Sequence, residues 1–131
     1  MTNTGERGSD ANGGYYTDEG GYENDLTEFQ KDILHVLVGD PMHGLRIKEE
    51  LEDRYDKEIN HGRLYPNLDK LNDEDYVEKH SRDDRTNEYE VTHDGLERIL
   101  YDMEWRVGEF VDGNMSRAEQ VEKMLERALS W

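Results

Sequence analysis

The sequence predicts a mostly α-helical chain that carries one small β-hairpin, an α+β arrangement. The first observation is that apolar residues recur at spacings of three and four in several segments, as on one face of a helix. The second is that two short segments, 76–80 and 88–92, carry β-favouring residues and flank a polar tip. The third is the position of this hairpin, which follows three predicted helices and precedes two more.

Composition excludes several classes of protein. The 131 residues contain no cysteine, which removes disulfides, thiolate metal sites and thiol redox sensors. No apolar run approaches the length of a membrane span, and the N-terminus lacks an apolar signal segment, so we expect a cytoplasmic protein without membrane association. Hydrophobic residues make up only 33%, so part of the chain is expected to be tail or intersubunit surface.

The chain is strongly acidic, with 33 Asp and Glu against 16 Lys and Arg and a net charge of -17. Two interpretations compete: a disordered or acidic interaction protein, and a folded protein whose carboxylate-covered surface suits a salt-rich cytoplasm. The acidic residues are scattered among periodic apolar residues instead of forming long runs, and arginine outnumbers lysine. Both features favour the second interpretation.

Residues 1–25 predict a flexible acidic N-terminal arm, because they are rich in Gly, Asn, Asp and Thr and lack apolar periodicity. The sizeable apolar groups of this arm are Tyr15, Tyr16 and Tyr22. The arm is either a disordered tail or a strap that docks these tyrosines on the body or on a partner subunit.

Two predicted helices open the next segment, residues 26–95. The first covers 27–38, where Thr27 and Gln30 form a capping-box pattern, and the Gly-Asp-Pro sequence at 39–41 ends it. The second covers 44–55 and has apolar residues every four positions. His35 lies beside apolar residues of the first helix, so we expect it to be packed instead of acting as a ligand.

The third predicted helix, which starts at Asn60, is the candidate recognition element. Leu64, Leu68 and Leu71 share one face. The other side carries Asn, His, Arg and Lys, which suit a DNA major groove because Arg pairs with guanine, Asn with adenine and Lys with phosphate. An ordinary amphipathic helix with a solvated polar face has the same pattern. The three helices and the hairpin together predict a winged helix-turn-helix domain.

The hairpin supplies the wing of this domain. Its tip and edges carry Lys79, His80, Arg82 and Arg85, which are placed to reach phosphates or a minor groove. The tip also contains two aspartates, which oppose phosphate binding. The acidic residues expected to face phosphates near the duplex are Asp69, Asp73, Glu74, Asp83 and Asp84. The alternative interpretation of this segment is a solvated turn.

The C-terminal segment, residues 96–131, predicts two amphipathic helices for dimerisation. The first covers 92–112, is capped by Thr92, and its apolar residues alternate in steps of four and three as in a helix seam. The second is capped by Ser116. The predicted dimer interface consists of Leu96, Leu100, Met103, Val107 and Phe110. The alternative is that these helices pack back on the same subunit.

Three motifs in this sequence resemble those of the PadR-like transcriptional regulators. They are Pro-Met-His-Gly-Leu-Arg-Ile at 41–47, Gly-Arg-Leu-Tyr-Pro-Asn-Leu at 62–68 and Tyr-Glu-Val-Thr-His-Asp-Gly at 89–95. The family usually has an aromatic at position 43, where this chain has His43. With its acidic composition the chain resembles a haloarchaeal member. The resemblance implies a DNA-binding homodimer held by its C-terminal helices and leaning toward repression.

The predicted DNA-binding side chains are Asn60, His61, Arg63, Tyr65, Asn67, Lys70, Lys79, His80, Arg82 and Arg85. The predicted partners are double-stranded operator DNA, a second copy of the chain, and inorganic cations or salt ions at the DNA interface. No catalytic triad, phosphate-binding loop or metal-ligand cluster stands out, so we expect no enzyme activity, no cofactor and no metal site. The alternative function is a winged helix that binds protein without DNA. The net charge favours that alternative, but the balance at the third helix, where only Asp69 opposes Arg63 and Lys70, favours DNA.

Overall fold

The computed structural model of the chain describes residue 22 and residues 25–81, 86–113 and 118–130, except for the side chains of 111–113 and 118. Three predictions lie outside these residues. They concern most of the N-terminal arm, the wing tip with Arg82, Asp83, Asp84 and Arg85, and the cap at Ser116.

The described residues form five helices and three strands, and the mostly helical fold with a small sheet confirms the predicted fold class. The helices are α1 (Glu28–Leu37), α2 (Gly44–Tyr55), α3 (His61–Asp73), α4 (His93–Gly113) and α5 (Ala118–Leu129). The strands are β1 (Met42–His43), β2 (Val77–Ser81) and β3 (Asn87–Val91).

Local side-chain bonds fix where the helices start, as the sequence predicted. Thr27 and Gln30 form the predicted capping box on α1, with the Gln30 backbone N–H donating to Thr27 Oγ1 at 3.1 Å and the Thr27 N–H donating to Gln30 Oε1 at 3.0 Å. Asn60 accepts from the Gly62 N–H at the start of α3. Thr92 accepts from the Gly95 N–H at 3.0 Å at the start of α4. Each cap satisfies a backbone donor that has no partner inside the helix.

The sheet is three-stranded and antiparallel, in the order β1-β3-β2. The sequence predicted only the hairpin of β2 and β3, and it placed their bounds within one residue of those observed. It missed β1, whose Met42 pairs with Tyr89 and whose His43 pairs with Glu88. A two-residue strand is too short to produce an alternating pattern, so no periodicity in the sequence predicts it.

Apolar faces of α1, α2 and α3 meet the inner face of the hairpin and the first turns of α4 in one core. Its buried members are Leu26, Phe29, Ile33, Leu34, Leu37, Ile47, Leu51, Ile59, Leu64, Leu68, Leu71, Tyr76, Val77, Tyr89 and Ile99. His35, in contrast, is exposed on α1, so the expectation that it packs was wrong.

Two glycines allow neighbouring segments around this core to approach each other closely. A Cβ on Gly44 would lie 2.5 Å from the hydroxyl of Tyr65, so the start of α2 can meet α3 only without a side chain there. A Cβ on Gly95 would collide with the backbone carbonyl of Tyr76. Both positions belong to motifs that the sequence shares with its predicted family.

Tyr22 is the one described part of the arm before Asp25, and it is half-buried. The guanidinium of buried Arg98 lies 4.2 Å from the centre of the Tyr22 ring and 5.5 Å from that of Tyr76. Arg98 also donates a hydrogen bond of 2.6 Å to the Tyr76 hydroxyl. Tyr22 therefore docks on the body through a cation–π contact, as the strap interpretation expects of it.

The chain divides into two compact units, residues 1–99 and 100–131, with the division inside α4. In the second unit, the apolar residues of α4 are exposed in the single chain, including Leu100 at 58% and Phe110 at 49%. Met124, Leu125 and Leu129 of α5 are exposed as well. Among the helices that the structure describes, none has the length and hydropathy needed to cross a membrane.

Candidate nucleic-acid interface

The outward side of α3 carries the polar residues that the sequence selected. Leu64, Leu68 and Leu71 are completely buried and turn one face of the helix toward the core. The side chains of Asn60, His61, Arg63 and Lys70 are exposed, while those of Tyr65 and Asn67 are partly buried. The helix is thus anchored by three leucines and presents a polar surface to solvent.

One flank of α3 rests on α1. The Arg63 guanidinium lies 3.9 Å from the centre of the Phe29 ring. Asn67 accepts a hydrogen bond of 2.8 Å from Gln30 Nε2 and donates one of 2.7 Å to the Arg63 carbonyl oxygen. Asn67 therefore uses both ends of its amide within the protein, and these two bonds restrict the orientation in which it could meet an adenine.

The other flank of α3 rests on α2. The Tyr65 ring covers Gly44 and packs on the core cluster, and the His61 ring stacks on Tyr65 with 5.7 Å between ring centres. The sequence left open whether Tyr65 packs beneath the wing or offers its hydroxyl to a phosphate. The structure packs it, and it does so against the start of α2. His61 is then the exposed group on this flank.

Three basic side chains of the candidate interface are paired with carboxylates. Lys70 Nζ lies 3.1 Å from Glu74 Oε2, and Lys79 Nζ lies 3.4 Å from Asp69 Oδ1, which joins the wing to α3. His80 Nε2 lies 3.2 Å from a carboxylate oxygen of Glu90. A phosphate that binds one of these basic side chains must therefore compete with a carboxylate that is already in place.

The acidic residues expected near the duplex divide into two groups. Asp69 and Asp73 are exposed on α3. Glu74, in contrast, is buried: its Oε2 pairs with Lys70, and its Oε1 has no hydrogen-bond partner among the described residues. Glu74 is therefore part of the packing at the end of α3, and it does not face outward as the sequence suggested.

Glu52 holds the connection between α2 and α3. Its Oε2 accepts from Lys48 Nζ at 2.7 Å and from the Ile59 backbone N–H at 2.9 Å. These two hydrogen bonds, with that from Lys48 the stronger, lower the pKa of the Glu52 carboxyl, and the same pairing raises the pKa of Lys48. The carboxylate thus positions the chain just before the N-cap of α3.

Tyr55, the last residue of α2, ties the same end of this helix to α1. Its hydroxyl donates a short hydrogen bond to Asp32, and its ring stacks on Phe29 with 6.3 Å between centres. Burial, together with the hydrogen bond to Asp32, raises the pKa of Tyr55 to about 12. Phe29 therefore lies between Tyr55 and Arg63, so the packing of α2 on α1 supports the position of the α3 arginine.

The sheet brings together three side chains that sequence reasoning missed. Glu78, His80 and Glu90 place one ligating atom each within 4.8 Å of one another on the outer face of the hairpin. No metal-ligand cluster stood out in the sequence, because this group contains a single histidine. The signal that was present is the Glu78-x-His80 spacing of two on a strand, opposite a second strand that carries Glu90.

Comparison with known proteins identifies the family. Residues 33–100, more than half of the chain, match the model of the transcriptional regulator PadR-like family. The chain belongs to the PadR-like family of transcriptional regulators. No curated protein matches the sequence.

Solved structures agree with this assignment. One solved structure is that of Halobacterium salinarum RosR, grown from NaBr. This chain is 47% identical to it, and the two structures match with a TM-score of 0.74 over 82% of this chain and 96% of that one. A structure described as the RosR-S1 complex matches at 47% identity and a TM-score of 0.75, covering 81% and 94%. A PadR-like transcription factor from Bacteroides fragilis matches at 21% identity and a TM-score of 0.56, covering 69% and 89%, which shows the shared fold alone.

The three PadR-like motifs converge in this structure. Gly44 of the first motif lies under Tyr65 of the second, and Gly95 of the third lies against the backbone carbonyl of Tyr76. The motif residues thus set the contacts of α2 with α3 and of α4 with the segment before the hairpin. They shape the winged domain, whereas most of the exposed polar side chains of α3 take no part in these contacts.

Proposed function

We propose that this PadR-like regulator is a sequence-specific DNA-binding protein that acts as a homodimer in the cytoplasm. The observation that carries the proposal is the exposed polar surface of α3, held on three buried leucines within a winged helix-turn-helix fold. Such a helix enters the major groove, while the wing reaches the adjacent backbone or minor groove.

The proposed roles follow from the geometry of each side chain. Arg63, exposed beside the N-terminal turn of α3, reads a base edge, and His61 contacts a base or phosphate on the other flank. Lys70 and Lys79 contact phosphates after exchanging their carboxylate partners. The remaining members of the proposed site are Asn60, Tyr65, Asn67, His80, Arg82 and Arg85, of which the last two lie outside the described residues.

We further propose that the dimer forms through the C-terminal helices. Leu100, Met103, Val107 and Phe110 follow a four-three spacing along α4, and all four are exposed in the single chain. Leu96, the fifth member of the proposed seam, is only partly exposed. A continuous apolar stripe on an otherwise acidic chain is costly to leave in water, and a second copy of the stripe would cover it.

A winged helix that binds protein without DNA is the competing function. The net charge of -17 favours it, because DNA repels the molecule as a whole. The grouping of Arg63, His61 and Lys70 on one exposed helix favours DNA. Adaptation to a salt-rich cytoplasm reconciles the two, because molar salt screens the overall repulsion.

The deciding experiment is a protection assay on genomic DNA in molar KCl, followed by titration of a protected fragment. Arg63→Ala is expected to lose about 1–3 kcal/mol of binding free energy, as for one base contact. Arg54→Ala is the control, since it removes an arginine that lies on α2 and pairs with Asp32. Thermal unfolding of both variants checks that the loss of the Phe29 contact leaves the domain folded. No protected fragment, or equal affinity for Arg63→Ala and the parent, contradicts the proposed function.

The dimer is tested with the double variant Leu100→Glu and Val107→Glu. Two charges in the seam are expected to produce monomers in light scattering and to weaken DNA binding, because one half-site contact is lost. Trp105→Glu is the control, because Trp105 is 59% exposed but lies off the seam. A double variant that stays dimeric would place the interface elsewhere.

A further inference from the structure

The outer face of the hairpin holds a compact set of metal-ligating side chains. In β2, Glu78 and His80 are two residues apart and so point to the same side of the strand. In the antiparallel register, Glu78 lies opposite Glu90, and His80 lies diagonally from it. The pairing of the two strands therefore brings one imidazole and two carboxylates together without any loop.

The distances within this set match those around a small ion. His80 Nε2 lies 3.4 Å from Glu78 Oε1 and 3.2 Å from Glu90 Oε1. Two ligands that each lie about 2.0 Å from a tetrahedral Zn²⁺ ion are about 3.3 Å apart. The three atoms can thus surround one ion on one side, with the open side facing solvent.

The charge around the set also suits a cation. The only Lys or Arg in the described strands of the hairpin is Lys79, which pairs with Asp69 of α3 and not with this set. A third acidic residue, Glu88, lies directly opposite His80 on the neighbouring strand. The two carboxylates of the set carry two negative charges, so a divalent ion neutralises them.

We propose that Glu78, His80 and Glu90 bind a divalent transition-metal ion of the Zn²⁺ type. The imidazole selects such ions against Mg²⁺ and Ca²⁺, which prefer oxygen ligands alone. Two carboxylates and one imidazole leave room for one or more water ligands, as at an open site. Since the ligands come from both strands, the bound ion links β2 to β3 and restrains the wing.

The site is tested on the full chain without DNA, so the result does not depend on the proposed DNA-binding function. Chelator-treated protein is titrated calorimetrically with ZnCl₂ in 1 M KCl, which screens diffuse binding to the acidic surface. One Zn²⁺ per chain is expected. His80→Ala and Glu90→Gln are each expected to weaken binding at least tenfold, since even changes to groups that only support a metal ligand cost about 10- to 100-fold. Glu90 is half exposed, so the Gln variant is expected to keep the fold.

His93→Ala is the matched control. His93 is an exposed histidine that lies 3.3 Å from a single carboxylate, that of Glu97. Its removal is expected to leave Zn²⁺ affinity unchanged. Equal affinity in the parent and His80→Ala, equal losses in His80→Ala and His93→Ala, or displacement of Zn²⁺ by equimolar Mg²⁺ would overturn the proposal.

Hydrogen exchange supplies a second readout. Zn²⁺ is expected to slow exchange of amides in Val77–Ser81 and Asn87–Val91 of the parent protein and to leave those of His80→Ala unchanged. An ion held elsewhere on the surface would not protect the two strands selectively. Unchanged exchange in the parent at saturating Zn²⁺ would also overturn the site.

Discussion

The pair of Lys79 and Asp69 offers a direct test of the proposed DNA binding in concentrated salt. The lysine of β2 lies 3.4 Å from the aspartate of α3, whose side chain is 60% exposed. On the proposed function, DNA must displace Asp69 from Lys79, and the displaced carboxylate then takes up a cation near the phosphates. Asp69→Asn removes the carboxylate at nearly constant shape and leaves the lysine available.

The expected effect is a change in salt dependence. Each phosphate that a protein cation neutralises adds about -0.9 to the slope of log affinity against log salt. A dimer carries two copies of Lys79, so freeing both adds about -1.8, or roughly -2. A slope change of that size makes the variant lose about tenfold more affinity than the parent for a threefold rise in KCl. The parent itself is expected to show a shallow or even positive slope.

The measurement is a set of operator titrations between low and molar KCl with the parent, Asp69→Asn and a control. Asp53→Asn serves as the control, because it makes the same change in charge on the exposed side of α2 and forms no ion pair among the described residues. Identical slopes for Asp69→Asn and the parent would refute the exchange mechanism. Equal slope changes in both variants would refute it as well, since net charge alone would then account for the effect.

Two further predictions concern the support of α3. Glu52→Gln is expected to lower the thermal midpoint at neutral pH, because it weakens the bonds to Lys48 and to the Ile59 N–H. The pKa of Glu52 is lowered in the folded protein. The stability that its carboxylate contributes is therefore present above the unfolded pKa and is lost as pH falls through the folded pKa. Tyr55→Phe is expected to lower the free energy of unfolding in urea by about 1 kcal/mol, because the bond to Asp32 is lost. Since the pKa of Tyr55 is raised from 10.0 to about 12 in the folded protein, this stability is present below pH 10 and is lost as pH rises through 12.

Each of these predictions has an outcome that would contradict it. A Glu52→Gln variant that stays less stable than the parent by the same margin at all pH values would contradict the role of the charged carboxylate. Glu49→Gln, on the exposed side of the same helix, separates this effect from a general change in charge. A Tyr55→Phe variant as stable as the parent would show that the ring stacking on Phe29 holds α2 to α1 without the hydroxyl.

Local signals in the sequence were sufficient for most of the winged domain. The capping box at Thr27 and Gln30, the cap at Asn60 and the leucines of α3 each act within one turn or one helix face, so their spacing predicts them directly. The short strand β1 and the burial of Glu74 depend on which segments meet in three dimensions. The spacing of residues along the chain does not predict such contacts between distant segments.

The same contrast between local signals and contacts of distant segments holds for the candidate interface. The sequence placed Arg63 and Asn67 off the buried face of α3, and the structure agrees. The sequence did not predict that the Arg63 guanidinium lies over the Phe29 ring or that the amide of Asn67 is hydrogen-bonded to Gln30. These contacts join residues more than thirty positions apart, and they decide which groups can meet a base without rearrangement.

The short ion pairs of the interface bear on how such a surface works in molar salt. The Debye length there is about 3 Å, comparable to the 3.1 Å and 3.4 Å that separate Lys70 from Glu74 and Lys79 from Asp69. Contacts of this length persist, while repulsion between DNA and the remote carboxylates is screened. On the proposed function, DNA binding then becomes an exchange of one contact for another: a phosphate replaces a carboxylate on the lysine, and a cation joins the released carboxylate. Because such an exchange involves little net change in charge, the affinity it gives depends only weakly on salt, which a surface of unpaired lysines would not achieve.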